Sequence, residues 1–477
     1  MVHAFHYSCE GESHKAINKV CQDYSLTENT DGFTVAIVCD GHGGERYFRS
    51  DIGAKFAAEA SLDAVKYFVE NVGSSFFEKK AYTAKGPAYA RSEEEKSSVI
   101  DDAFQRLFAS IIYKWNTKID EHARSVPLTE WEIANVPQKY LDEFASNLSD
   151  ENKSVEKQYG CTLMVYVQTK DYWFAFHLGD GKCISFQQSP VWDEPIPWDD
   201  RCFLNKTTSL CDTSAIDEFR YCYQGDGHFP IAIILGSDGL DDSMGETSNL
   251  ANFYIQILKM LAKDGIHATE ESLKDTLPKL SKIGSKDDMS VACVFNLEEV
   301  KSNIDIFIQY QVQLVKQQLE SIEKRIQLLM SRRDSLVSFS DDKSQIEFKY
   351  ALQDLEKARV TRTNLARKYN LLAEELPNGT IPPYIIEEEM DQPLPQIEDV
   401  SSGGTDRDPK SEVENILEAS EQDDNTSFED TNNDSVVEQD TLSSSENCEQ
   451  AQVSEIVEET NEANEENHSK EREIPIE

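Results

Sequence analysis

Positive charge is what this chain most lacks. Lysine and arginine total 46 against 89 aspartates and glutamates, a formal net charge of -43. That deficit excludes electrostatic adhesion to nucleic acid or to an anionic membrane, both of which need basic surface. About 26 of the excess negative charges follow Tyr384, so the acidity is mainly a property of the C-terminal stretch. None of the 10 cysteines forms a CxxC pair, which argues against a zinc framework. Cys39 and Cys293 sit inside apolar runs and read as small buried hydrophobes. No apolar run approaches the length that spans a bilayer, and the opening MVHAFHYSCEGE lacks the basic-then-apolar layout of a secretory leader. These absences imply a cytoplasmic protein with reduced thiols.

What is present divides into three regions, expected as domains 1–298, 303–376 and 377–477. The first alternates short apolar runs with glycine-containing turns and helical stretches. Phe33 to Cys39 reads as a buried strand, as do Cys161–Val167, Tyr172–Leu178, Lys182–Phe186, Pro230–Leu235 and Met289–Phe295. Tight connections between several of them require antiparallel pairing, because a parallel crossover needs a dozen or more residues. The segment from Lys79 to Lys157 is long, and about half of it reads as loop. The second region has no glycine or proline between Ile304 and Leu376. Ile308, Val312, Val315, Leu319, Ile322, Ile326, Leu329 and Leu336 recur at spacings of four and three, interrupted by Arg333. A second series runs from Phe348 to Leu376, interrupted by Arg362. Two such helices form an antiparallel coiled-coil hairpin, fit to dock a protein partner or to self-associate. From Pro377 onward the chain is acidic, rich in Ser, Asn and Thr, and poor in aromatics, the composition of a disordered tail.

Four aspartates stand at similar places in the pattern. Asp40 ends the FTVAIVC run and opens DGHGG; Asp180 lies in GDG after Leu178; Asp238 lies in SDGLDD after the PIAIIL run; Asp287 precedes the Met289 run within GSKDD. Carboxylates at strand ends can converge on one sheet edge, and flanking glycines let the backbone bend and approach a ligand. A carboxylate cluster without counter-cations repels itself unless metal neutralises it. All-oxygen ligation selects hard cations, Mg or Mn. Any one Asp-Gly pair is an ordinary turn; the information lies in four of them in order, with His42 two residues after Asp40.

The sequence resembles the PPM-type metal-dependent Ser/Thr protein phosphatases, the protein phosphatase 2C family, and most closely its bacterial branch. The resemblance runs from about Phe5 to Leu297 and rests on Gln22-Asp23, DGHGG at 40–44, GCTLMVYV at 160–167, LGDGKC at 178–183, GSDGLDD at 236–242 and GSKDDMS at 284–290. It implies an α+β fold, a sandwich of two antiparallel β-sheets flanked by helices. It further implies two divalent cations, Mn or Mg, and hydrolysis of phosphoserine and phosphothreonine in phosphoprotein substrates by activated water. Carried over residue by residue, Asp40 bridges the metals and the Gly41 carbonyl assists. Asp238 and Asp287 complete the set, Asp23 stands just behind it, and Asp180 with Asp242 serve a weaker third metal. His42 matches the general acid. The chain departs from the family pattern at Gly181-Lys182, where Ser-Arg is common, and at Asp241, where an aromatic is frequent. It also lacks the phosphate-binding arginine before Gln22-Asp23, which leaves His14 and Lys19 as replacements. The competing expectation is an inactive relative that scaffolds phosphoproteins through the coiled coil; retention of Asp40, Asp238 and Asp287 argues against it.

Overall fold

The computed structural model describes residues 2–386, apart from 151, 203–205, 338–341 and 378–379. Eleven strands among the described residues form two antiparallel sheets. The first sheet runs β1 (Val2–Cys9), β11 (Met289–Asn296), β10 (Ala232–Gly236), β7 (Lys182–Phe186), β8 (Trp192–Asp193). The second runs β2 (Tyr24–Asn29), β3 (Thr34–Cys39), β5 (Leu163–Gln168), β6 (Trp173–Leu178), β9 (Arg220–Gln224), β4 (Thr83–Lys85). The helices are α1 (Glu12–Ala16), α2 (Ser50–Asn71), α3 (Glu93–Lys96), α4 (Val99–Ser125), α5 (Glu130–Asn135), α6 (Gln138–Leu148), α7 (Ala215–Glu218), α8 (Asp238–Met244), α9 (Thr247–Asp264), α10 (Ile266–Ile283), α11 (Leu297–Leu336) and α12 (Asp342–Glu375).

The continuous apolar runs are explained by burial on both faces. Along β3, Ala36 and Val38 point between the sheets, where they meet Met164, Tyr166, Ile233, Leu235, Ala292 and Val294. Val35, Ile37 and Cys39 point the other way, into a core shared with α2 and α4 that includes Ala57, Phe68, Phe104 and Trp115. On the far side of the molecule β10 and β11 pack on α9 and α10 through Ile234, Cys293, Tyr254, Leu258 and Leu277. The result is a four-layered sandwich, helix–sheet–sheet–helix, whose central strands are covered on both faces, so period-2 alternation is absent from them.

Three expectations need correction. First, the 79–157 segment holds less loop than expected: α3, α5 and α6 join α4, the helix that the sequence places at about Ser97 to Glu121. The 27-residue α4 contributes Ile100, Phe104, Phe108, Ile111 and Trp115 to the core. Two buried or half-buried ion pairs, Arg49–Glu132 at 2.6 Å and Arg46–Glu143, tie α5 and α6 to the loop that follows His42. Second, the hairpin does not start as a separate unit at 303. α11 continues directly from β11, and its Val300 and Phe307 belong to the core of the first sheet. Phe307 lies edge-on to Phe186 at 5.9 Å, and the Trp192 indole donates to the Tyr310 hydroxyl at 2.8 Å. Third, the boundary at Pro377 is too early. Ile381, Tyr384 and Ile386 pack on the hairpin, and the Asn370 side chain accepts from the Tyr384 amide at 2.7 Å. The expected disordered tail from 387 onward lies outside the described residues.

The two long helices do pair antiparallel along the expected seam. Ile308, Val312, Val315 and Leu319 meet Ala366, Tyr369, Leu372 and Leu376; farther out Ile326 meets Leu355 and Ala358. Arg333, the break in the first series, is buried and pairs with Asp334 at 2.8 Å. No helix among the described residues is long and apolar enough to cross a membrane.

Candidate active site

Strand ends from both sheets deliver the aspartates to one edge. β3 ends at Cys39, and the chain beyond it is zipped to the 160–162 segment: Thr162 Oγ1 accepts from the Asp40 amide at 3.0 Å, the Thr162 amide donates back to the Asp40 carbonyl at 2.8 Å, and the His42 amide donates to the Gly160 carbonyl at 3.1 Å. Gly41 is squeezed between chains; a Cβ there would stand 2.3 Å from the Gln22 carbonyl oxygen. β10 ends at Gly236, and Ser237 stands at the N-cap position of α8 without a side-chain capping bond. Asp238, Asp241 and Asp242 therefore stand on the first turn of that helix at spacings of three and four, which share a face. Ser237 is itself locked to β11, its hydroxyl accepting from the Ser290 amide at 2.9 Å. β6 ends at Leu178, and Gly179 takes φ +130°, open to glycine, to turn Asp180 toward the same edge.

Electrostatics couple these groups to one another, although no three of the six bring carboxylate oxygens within 4.8 Å of each other. The Asp40 and Asp238 carboxyls lie within hydrogen-bond reach of each other. Burial, then the Asp238 charge, pushes Asp40 well up. Burial first, with Asp180, Asp287 and Asp242 adding, raises Asp238 to about 7. Asp23 is raised by burial and by Asp288, and its Oδ2 is buried without a hydrogen-bond partner. Burial also raises Asp180 and Asp242. Among the described ion pairs, no lysine or arginine reaches Asp23, Asp40, Asp180, Asp238, Asp242 or Asp287. A set of oxygen ligands with an orphaned carboxylate oxygen and no ion-paired cation, Arg220 and Lys19 acting on Asp180 and Asp287 only at longer range, fits hard divalent cations.

Asp288, next to Asp287, is a different kind of group. It is buried, and its carboxylate accepts from the Gly11 amide at 2.6 Å, the Gln22 amide at 2.6 Å and the His14 ring at 2.9 Å. Those donors outweigh burial and hold its carboxyl below the usual range. Asp287 is exposed and spends one oxygen on the Asp288 amide at 2.8 Å. His14, Asp287 and Asp288 bring ligand atoms within 4.8 Å of one another, yet two of the three are already committed to that internal network.

The two proposed substitutes for the missing arginine part company here. His14 is buried with Nδ1 on Asp288. Lys19 is half-buried, donates from Nζ to the Gly43 carbonyl at 2.7 Å, and feels the Asp287 and Asp288 charges, so it stands at the edge of the carboxylate cluster. His42, two residues after Asp40, turns its ring toward Ser209 and Tyr47. Its Nε2 pairs with the Ser209 hydroxyl at 2.7 Å, and its ring meets Tyr47 edge-on at 4.8 Å. Burial pushes His42 down to about 4, so it is neutral at pH 7 until a nearby anion favours its charged form.

Sequence reading missed several participants. Thr162 and Ser237 orient the aspartate turns; both are hydroxyls inside quoted motifs, Thr162 in GCTLMVYV and Ser237 in GSDGLDD. Ser209 carried no signal, because its loop has no regular pattern. The two departures from the family pattern face each other: Lys182 is the strongest charge countering burial at Asp241, which is raised to about 6. Lys182 also pairs with Glu194 at 3.2 Å and lies 4.0 Å from the centre of the Trp198 ring.

No curated protein matches the chain. Solved structures that it resembles include a bacterial serine phosphatase (13% identity, 62% of this chain and 97% of that one, TM-score 0.35). A second is the catalytic domain of the serine/threonine protein phosphatase PstP in complex with two manganese ions (13%, 62% and 97%, 0.34). A third is a C. elegans sex determining protein (14%, 64% and 67%, 0.37). The family model described as protein phosphatase 2C matches residues 10–278, more than half of the sequence, and the chain belongs to that family.

Proposed function

We propose that the chain is a divalent-cation-dependent protein serine/threonine phosphatase of the cytoplasm. The observation that carries this reading is the gathering of six aspartates at one sheet edge, none of them ion-paired to a lysine or arginine among the described ion pairs. In this reading Asp40, Asp238, Asp287 and the Gly41 carbonyl hold two cations, Asp23 supports them from behind, and Asp180 with Asp242 take a weaker third. Two such cations supply an activated water and positive charge opposite the phosphoryl oxygens. The chain's own groups do the rest. A water oxygen bonds to phosphorus as the bond to the seryl or threonyl oxygen breaks, and the departing alkoxide takes its proton from His42. Lys19 receives a phosphoryl oxygen as a point charge; His14 acts at one remove, by holding Asp288. Ser209 fixes which His42 nitrogen is engaged by protein, leaving Nδ1 for the proton transfer. Nine described cysteines are free of disulfides, in keeping with a reducing compartment.

The test is phosphate release from phosphoserine, phosphothreonine and phosphotyrosine peptides with Mn, with Mg and with chelator. Release from the first two, restored by either metal, is expected. Metal-independent release, or none under any condition, ends the proposal.

A further inference from the structure

The seam of the hairpin uses one face of α12; the opposite face carries a second regular series. Lys343, Ile346, Tyr350, Gln353, Lys357, Val360, Asn364, Arg367, Leu371 and Glu374 follow one another at spacings that alternate three and four without a break, and every one is exposed. At 3.5 residues per repeat these positions form one straight stripe. Its apolar members are unusually bare for a helix surface: Ile346 is 56% exposed, Tyr350 61%, Val360 53% and Leu371 50%. The seam residues Ala351, Leu355, Ala358, Tyr369 and Leu372 lie on the other side against α11, so the stripe is no part of the hairpin seam.

We infer that this stripe is the contact between two copies of the chain, paired antiparallel through α12 about a two-fold axis between Lys357 and Val360. The order of residues supports that partner and that direction. Antiparallel pairing sets Lys343 against Glu374, Ile346 against Leu371, Tyr350 against Arg367, Gln353 against Asn364 and Lys357 against Val360, each twice by symmetry. Every layer joins opposite charges, apolar surfaces, two amides, a guanidinium with an aromatic ring, or a long alkyl stem with valine. Parallel pairing of the same stripe sets Lys343 on Lys343, Lys357 on Lys357, Arg367 on Arg367 and Glu374 on Glu374, four repulsive layers. A palindromic series of this kind is what an isologous two-fold contact requires, because the same patch must fit itself. The polar central layers give register at some loss of affinity. The stripe is about 47 Å long at 1.5 Å per residue. It lies on the face of α12 opposite the α11 seam, and none of the six aspartates belongs to it.

Sedimentation velocity of the full chain across micromolar concentrations tests the pairing, with phosphate release measured alongside as a check on folding. A concentration-dependent dimer is expected. Leu371→Asp should weaken association by about 100-fold or more, the effect of burying an unpaired charge. Lys343→Glu and Glu374→Lys should each weaken it by about tenfold, since each breaks two rim pairs per dimer. The double variant Lys343→Glu/Glu374→Lys should recover most of that loss. A chain that stays monomeric overturns the inference and leaves the stripe to the 387–477 segment or to another protein. A dimer indifferent to these changes overturns it too, as does a double variant no tighter than the single ones.

Discussion

At the sheet edge, six carboxylates gather, two within hydrogen-bond reach of each other, and the protein supplies them with turns, hydroxyls and backbone amides but, among the described ion pairs, no paired lysine or arginine. In the hairpin, apolar residues fill most of the seam, and a charge placed in it, Arg333, is given an aspartate. The first region is unstable alone and is held in shape by the sandwich behind it; the second would hold its shape without any ligand. Where a fold tolerates like charges it did not neutralise, it has left room for something that does.

The sharpest way to break this contrast is to remove one charge from the edge. Asp40→Asn should cut phosphate release by about 10³-fold or more while thermal unfolding with chelator present stays the same or moves up, because a repelling carboxylate is gone. An active Asp40→Asn protein removes Asp40 from the site. His42→Ala should lower kcat on phosphothreonine peptides by roughly 10²–10⁴-fold, the range for a general acid. The loss should shrink on p-nitrophenyl phosphate, whose leaving group needs little protonation; equal losses on both make the residue structural.

The hairpin side of the comparison predicts the reverse pattern. Phe307→Ala empties a core position beneath Phe186 and should cost about 3–5 kcal/mol in urea unfolding, with kcat per folded molecule unchanged. A cost below about 1 kcal/mol would show that α11 merely rests on the sandwich.

The pH dependence sharpens the contrast further. Asp23, Asp40 and Asp238 are all raised, Asp238 to about 7, so the folded protein without metal keeps protons that the unfolded chain releases. Their contribution is therefore lost as pH rises from about 4 through 7. With chelator, the melting temperature should fall by several degrees between pH 5 and pH 8; with saturating Mn the fall should vanish. A flat profile in chelator would mean that the carboxylates do not confront one another in solution. The smallest effect belongs to the rim: Lys19→Ala should raise KM for phosphopeptides several-fold with little change in kcat, and no change would leave phosphate binding to other groups.

What could be read in advance follows the same division. Strands covered on both faces, such as β3, β5, β6 and β10, announce themselves as unbroken apolar runs. β1 and β2 do not, because half of their residues remain wetted, as at His6 and Glu28, and β9 hides because its first residue is the buried Arg220. The hairpin seam was legible from its spacing. Its docking was not, since Val300 and Phe307 look like more of the same periodic helix. At the site, the glycine-flanked aspartates were legible as a set. The division of labour between Asp287 and Asp288 was not, because it depends on amides from Gly11 and Gln22 that arrive from the other end of the chain. The facing of Lys182 and Asp241 likewise joins residues far apart in sequence.

That closure of the chain on itself has a cost in time. β1 pairs along its whole length with β11, Val2 opposite Asn296 and Cys9 opposite Met289. A ribosome adding about 5–20 residues per second releases the first strand roughly 15–60 s before its neighbour exists. Through that interval Phe5 and Cys9, both destined for the core, remain without their sheet partner. Synthesis of this protein therefore includes a waiting period in which a nascent apolar strand has to be kept from other chains, and the sandwich can close only after nearly three hundred residues have been made.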